Sequence, residues 1–325
     1  MGANGILSNN GGSPEPEVKD LSSKLGKTLR HCGRRAAQVA RGVVWDLARG
    51  AIERPIFVVG CSRAGTTLVY KCLAKSKEVG SLNRETHDFW VALHPLADKN
   101  WRSHTLLASD ASSQDVRVVS RYFFTLTGMR RVVDKNNQNG LCVPYLHALF
   151  HDAHFVYVKR SPGDNLHSLI EGWGKADEFA TWSKELPAKV AIGDGRYSRW
   201  CFFLPEGWRS YLNAPIEEVC AFQYTAINRA ILDARAIVPP AQWTEVLYED
   251  LVRDPVSGFR GVFGSLGLTF TPQLAKFCEH VLETPFNAFS EIRLDKWKSQ
   301  GNRTRIERVI PKVAAVAREM GYRSE

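Results

Sequence analysis

The sequence predicts an α/β fold: three layers, α/β/α, around a central parallel sheet. Two observations carry that expectation. Short apolar runs of strand type alternate with helical stretches, the pattern of a parallel sheet covered on both faces. The first of those runs leads directly into a glycine-rich turn and a helix, an arrangement that offers backbone N–H groups and a positive helix end to an anion.

Taken in order, residues 1–21 are Gly, Ser, Asn and Pro with few apolar side chains, and a disordered tail is expected. Met1-Gly2 opens as an N-myristoylation signal does, but Ile6 stands where Ser or Thr is required. Residues 22–50 form a basic amphipathic helical segment: Leu25, Leu29, Val39, Val43 and Leu47 are apolar, while Lys24, Lys27, Arg30, Arg34, Arg35 and Arg41 are basic. The segment reads as a solvated helix on the domain edge or as a peripheral membrane contact. Residues 51–325 are expected to form a single domain.

Within it, PIFVVG (55–60) is the first strand, and a helix follows from Thr67 to about Lys77. Further strands are expected at RRVVDK (130–135), HFVYVKR (154–160) and WTEVLY (243–248), with helices at 141–150, 162–172, 216–237 and about 304–320. Residues 174–213 break the rhythm. Trp182, Trp200, Phe202, Phe203, Trp208 and Tyr211 lie there among Gly and Pro, as an acceptor-side wall and lid or as core.

Composition excludes some classes. The 325 residues, 44% hydrophobic and 24% charged, are those of a globular protein, and no apolar run approaches the ~18–20 residues of a membrane helix. No signal peptide is read at the N-terminus. The seven cysteines are scattered without a C-x-x-C, against both a disulfide framework and a zinc site, so a reducing, cytoplasmic setting is expected, with or without membrane association. The formal charge of +9 calls for an acidic partner. No nucleic-acid motif accompanies it, so a phosphate-rich small molecule is the expected partner.

The loop GCSRAGTT (60–67) is nearly G-x-x-x-x-G-K-[ST], but Thr66 occupies the lysine position. That argues against a P-loop kinase, as does the weak magnesium candidate VVDK with no second carboxylate beside it, so no metal is expected. Arg63 supplies a planar fork suited to phosphate or sulfate oxygens, and Thr66 and Thr67 supply hydroxyls. In VKRSPGDNLHSL (158–169), Arg160 closes a strand, Pro162 opens a helix, and Ser168 lies two turns into it. Such a pair can converge on a second phosphate at the sheet edge where open α/β folds bind ligands. The two anchors together describe a nucleotide bisphosphate.

This pair of motifs resembles the sulfotransferases that use 3′-phosphoadenosine 5′-phosphosulfate (PAPS), and within them the bacterial and tyrosylprotein branch, whose loop reads R-S-G-T-T. The likeness runs from about Pro55 to Tyr322. RET (84–86), DKN (134–136), LPEGW (204–208), VLYEDLVRDP (246–255), FGSLGL (263–268) and DKWKS through EMGY (295–322) agree in order and spacing. The resemblance implies a P-loop-like loop in which Arg63, Ala64, Gly65, Thr66 and Thr67 hold the 5′-phosphosulfate. It implies that Arg160 and Ser168 hold the 3′-phosphate, that Tyr248 lies near the nucleotide, and that Ser290, Lys296 and Lys298 close over it. Ala64 departs from the family's serine, which leaves open a catalytically inactive nucleotide-binding member of the same fold.

Sulfuryl transfer needs a base for the acceptor proton and positive charge on the moving group. Arg63 and Lys135 suit the second role. Cytosolic small-molecule sulfotransferases place a histidine two residues after the strand-end lysine; here that position is Asn137. The tyrosylprotein-like branch uses a glutamate about twenty residues after the loop, which Glu85 matches, with burial expected to tune it. His87 is the other candidate base. The expected acceptor is a hydroxyl or amine on a small molecule, carbohydrate or glycolipid.

Overall fold

A computed structural model of the chain describes residues 33, 35–48, 50–283, 286 and 292–323. The chain divides into two compact units, Met1–Arg49 and Gly50–Glu325. In the first, residues 35–48 are helical. The expected tail at 1–21 and the first part of the basic segment lie outside the described residues.

The second unit is built on four parallel strands: β1 (Ile56–Gly60), β2 (Val133–Lys135), β3 (His154–Lys159) and β4 (Trp243–Leu247), in the order β2-β1-β3-β4. Ile56 lies opposite both Val133 and His154, and Val158 opposite both Gly60 and Val246. β1 and β3 are buried along their whole length. That is why they read in the sequence as unbroken apolar runs rather than alternating ones.

Each face of the sheet has its own core, since alternate residues of a strand point to opposite sides. Phe57, Val59, Phe155 and Tyr157 pack against α3 (Ser113–Thr127), α4 (Val143–Leu149), α5 (Pro162–Trp173), α6 (Ile216–Arg235) and α10 (Arg303–Glu319). Ile56, Val58, Val156 and Val158 pack against α1 (Thr66–Leu73), α7 (Tyr248–Arg253), α8 (Pro255–Ser265) and α9 (Pro272–Glu279). α2 (His87–Leu93) lies at the β2 end of the molecule, where Trp90 joins the first core. The molecule is therefore three-layered.

The aromatic stretch 174–213 is mostly core. Trp200, Phe203 and Trp208 are completely buried, and Phe202 nearly so. Each indole N–H that goes inside finds a carbonyl. Trp200 donates to Phe203 O (2.8 Å), Trp208 to Trp101 O (2.9 Å) and Trp182 to Phe202 O (3.1 Å). Burying such rings stabilises by about 1.5–3 kcal/mol each, provided those donors are satisfied. Of the two roles left open for these rings, they take the core role; Phe179 alone of that segment borders the cleft described next.

Candidate active site

The strand order reverses between β1 and β3, and the C-terminal edge at that point is where open α/β sheets bind ligands. All four strand ends contribute side chains there. The loop after β1 turns tightly, with Ala64 N–H on Cys61 O (3.1 Å) and Arg63 at φ 66, a left-handed conformation that a non-glycine residue adopts at a cost. Gly65 follows at φ 98 and caps α1; a Cβ there would come within 2.2 Å of the Tyr248 ring. Only glycine lets the loop lie this close to α7. Asn165 on α5 ties the loop down by donating to Ser62 O (2.9 Å).

Two arginines meet over this loop. Arg63 Nε donates to Ser168 Oγ (3.3 Å), and Arg160 donates to the Arg63 carbonyl (2.8 Å). The Arg160 guanidinium lies over the Tyr248 ring, 4.5 Å from its centre, and its Nε has no partner within the described chain. Burial, and then the nearby Arg160 charge, push the Arg63 guanidinium down to about 10. Two like charges crowded together in a buried place favour an anion between them.

β2 supplies the other half. Lys135 Nζ forms an ion pair with Glu85 Oε1 (2.5 Å) and donates to Asn137 Oδ1 (3.0 Å). The lysine side chain is 4% exposed and the glutamate 27%, so Glu85 is less enclosed than the sequence suggested. Its place is set from below by Asp134, which accepts from Thr86 Oγ1 (2.6 Å), Trp90 Nε1 (3.0 Å) and Asn139 Nδ2 (3.1 Å). Burial pushes the Asp134 carboxyl up, and those three donors oppose that shift. Asp134 is thus an anchor for the Glu85 turn.

Arg63, Gly65, Thr66, Thr67, Glu85, Lys135, Arg160, Ser168, Tyr248 and Lys296 all line one cleft. Three predicted residues do not. His87 starts α2 with its Nε2 on Asp88 (2.8 Å), Lys298 is half-exposed and paired with Asp295 (2.8 Å), and the Ala64 methyl is buried in the first core. Ser290 lies outside the described residues. The cleft also holds Asn137, His167, Glu171, Phe179 and Arg293, which sequence reasoning did not assign to it. His167 sits beside Ser168 in the motif already read, so its position was the available signal.

Five lining side chains are cationic (Arg63, Lys135, Arg160, Arg293, Lys296) against two carboxylates, Glu85 and Glu171. With the glycine cradle and the unpartnered Arg160 Nε, this donor set fits an anion bearing phosphate or sulfate groups.

No curated protein matches the chain. Among solved structures, sulfotransferase STF1 from Mycobacterium tuberculosis H37Rv is similar at 18% identity, over 85% of each chain, with a TM-score of 0.46. STF9 from Mycobacterium avium is similar at 14% identity, over 83% of this chain and 78% of that one, with a TM-score of 0.49. Mouse sulfotransferase SULT7A1, complexed with PAP, is similar at 15% identity, over 82% and 87%, with a TM-score of 0.43. The model of the sulfotransferase family matches residues 55–272, more than half of the chain and the stretch that carries the β1 loop, Glu85, Lys135, Arg160, Ser168 and Tyr248, and the chain belongs to that family.

Proposed function

We propose that the protein transfers a sulfuryl group from PAPS to a hydroxyl or amine of an organic acceptor. The observation that carries this reading is the gathering of Arg63, Arg160, Ser168, Lys135 and Glu85 on one cleft at the sheet edge. When bound, PAPS supplies the electrophilic sulfuryl group. The loop N–H groups, Thr66, Thr67 and Arg63 bind the 5′ end, and Arg160 and Ser168 bind the 3′-phosphate. Lys135 and Arg63 stand ready with positive charge for the moving group. Glu85 takes the acceptor's proton, its oxygen presented to the cleft by the Asp134 anchor. His87, turned to Asp88, has the weaker claim. The buried Ala64 methyl removes the motive for an inactive member, because a serine hydroxyl at that position would face the core.

The test is transfer of 35S from labelled PAPS to a panel of phenols, sugars and lipid headgroups, with Glu85→Gln as control. Label transfer abolished by the variant supports the reading; nucleotide binding with no transfer to any acceptor class contradicts it.

The acceptor side faces Phe179 and suits an apolar organic group. A lipid-tailed acceptor draws support from residues 35–48. Val39, Val43, Val44 and Leu47 fall on one helical face and are each more than half exposed, and the sequence from 22 to 49 carries seven Lys or Arg against Asp46 alone. Among the described residues no helix is long and apolar enough to cross a membrane. Surface contact with an anionic bilayer is the reading we adopt. Flotation with phosphatidylglycerol vesicles, lost in Val43→Asp/Leu47→Asp, supports it; equal flotation of both proteins, or none, contradicts it. Cys61, Cys72, Cys142, Cys201, Cys220 and Cys278 are free and buried, which suits work in the reducing cytoplasm.

A further inference from the structure

His167 is the buried polar side chain in the cleft that the reading above leaves without a role. It stands on α5 next to Ser168, is 4% exposed, and lines the cleft with Arg160, Ser168 and Lys296. Neither ring nitrogen has a hydrogen-bond partner, and Glu171 Oε2, at 3.8 Å from Nε2, is too far to accept. Each of the other two buried histidines has a bonded ring nitrogen: His154 Nε2 lies 2.7 Å from Thr244 Oγ1, and His104 Nδ1 accepts from the Leu204 N–H (2.7 Å). An imidazole withdrawn from water with both nitrogens idle, at the wall of a cationic cleft, calls for a partner from outside the chain.

We propose that His167 is a ligand of the nucleotide's 3′-phosphate, donating a ring N–H beside Ser168 and Arg160 and taking up a proton as the phosphate binds. The proposal rests on the nucleotide reading above. The charged groups facing the ring are Glu171 and Asp164 on its own helix, Lys296 on the segment packed against that helix, and Arg160 at the end of β3. Burial is the strongest influence and holds the ring below its ordinary value, on the neutral side at pH 7–8, with Lys296 and Arg160 adding to that and the two carboxylates opposing it. A phosphate dianion against the ring reverses the balance, because an opposite charge at hydrogen-bond distance favours the imidazolium. The sign follows: the site binds one more proton when it holds the 3′-phosphate, so affinity must fall as pH rises through this window. Phosphate's own second ionisation lies near pH 6, below the window, and does not imitate the effect.

The experiment is calorimetric titration of the full chain with adenosine 3′,5′-bisphosphate and with adenosine 5′-monophosphate, at pH 7 and 8, in buffers of different ionisation enthalpy. Net proton uptake is expected with the bisphosphate and not with the monophosphate. Wild-type affinity for the bisphosphate should weaken by about fivefold from pH 7 to 8, within the tenfold per pH unit that one linked proton permits. His167→Gln should abolish both the uptake and the pH dependence. The wild-type imidazole 15N shifts, which need no variant, should move toward the protonated position on adding bisphosphate. Bisphosphate binding with no proton uptake and an unmoved imidazole would overturn the role of His167 and leave the nucleotide site standing. No bisphosphate binding at all would overturn the nucleotide reading, and this inference with it.

Discussion

Asp134 and Lys135 are neighbours on β2, both buried, and they belong to different regions of the molecule. Around Asp134 the hydrogen bonding is closed: one carboxylate, three donors, all from within the chain. Around Lys135 the chain has gathered more cations than carboxylates and left ring and guanidinium nitrogens without partners. A closed polar cluster holds architecture, because breaking it strands donors in a dry interior. An open one marks where something from outside completes the bonding. Polarity and burial alone do not separate the two; the surplus of cations together with unfilled hydrogen bonds does.

The comparison can be broken most severely at Glu85. Glu85→Gln keeps the shape of the ion-paired side chain and removes its ability to take a proton. It should lower kcat by about 10²–10⁴-fold. Bisphosphate affinity in the same variant should stay within about threefold, since only the acceptor step has lost a group. Loss of binding in parallel with rate would merge the two roles.

Asp134→Ala strikes the closed cluster. Stranding its three donors should cost about 2–3 kcal/mol of stability, read as a lower urea midpoint, with the folded fraction still binding bisphosphate. An unchanged midpoint would mean that the Glu85 turn does not need its anchor.

Acid tests the buried histidines outside the cleft. Burial holds His154 down at about 4 and His104 at about 3, and both are more than nine-tenths buried. Their folded values lie below the unfolded one, so their contribution is present above pH 6.5 and is lost as pH falls from there toward 4. Each should remove about 2 kcal/mol by pH 5. Chemical denaturation at pH 7.5 and 5.0 measures this, and His154→Gln should remove that residue's share. Equal stability at the two pH values would contradict it.

The smallest effect is expected at Ala64. Ala64→Ser restores the family's residue but places a hydroxyl in the core, so bisphosphate affinity should change by less than about threefold while stability falls by about 1 kcal/mol. A clear gain in affinity would put that side chain in the cleft after all.

Much of this could be read before the structure. β1 and β3 were legible because buried parallel strands are continuous apolar runs, and the loop, Arg160 and Ser168 because their spacing has a phosphate-binding logic. α3 was not, although Ser112 and Asp115 form a capping box at its start and Gly128 ends it. Its buried face includes Asp115 and Ser120, which blur the apolar period. α7 and α8 were noticed only as the motif VLYEDLVRDP. For the rings of 174–213 the sequence could not choose between wall and core, because the carbonyls that satisfy their indoles are fixed by tertiary structure. The same holds for His167: an unfilled hydrogen bond leaves no mark in a sequence.

The central claim is that the cleft is completed by a nucleotide with a 3′-phosphate. The most direct measurement is calorimetric titration in EDTA with adenosine 3′,5′-bisphosphate and, in parallel, ADP, on wild type and Arg160→Ala. The account predicts binding of the bisphosphate, at least tenfold weaker binding of ADP, and a loss of about 100-fold for the bisphosphate in Arg160→Ala, as expected for a buried charge-assisted contact. ADP binding as tightly as the bisphosphate, or unchanged bisphosphate binding without Arg160, would contradict it.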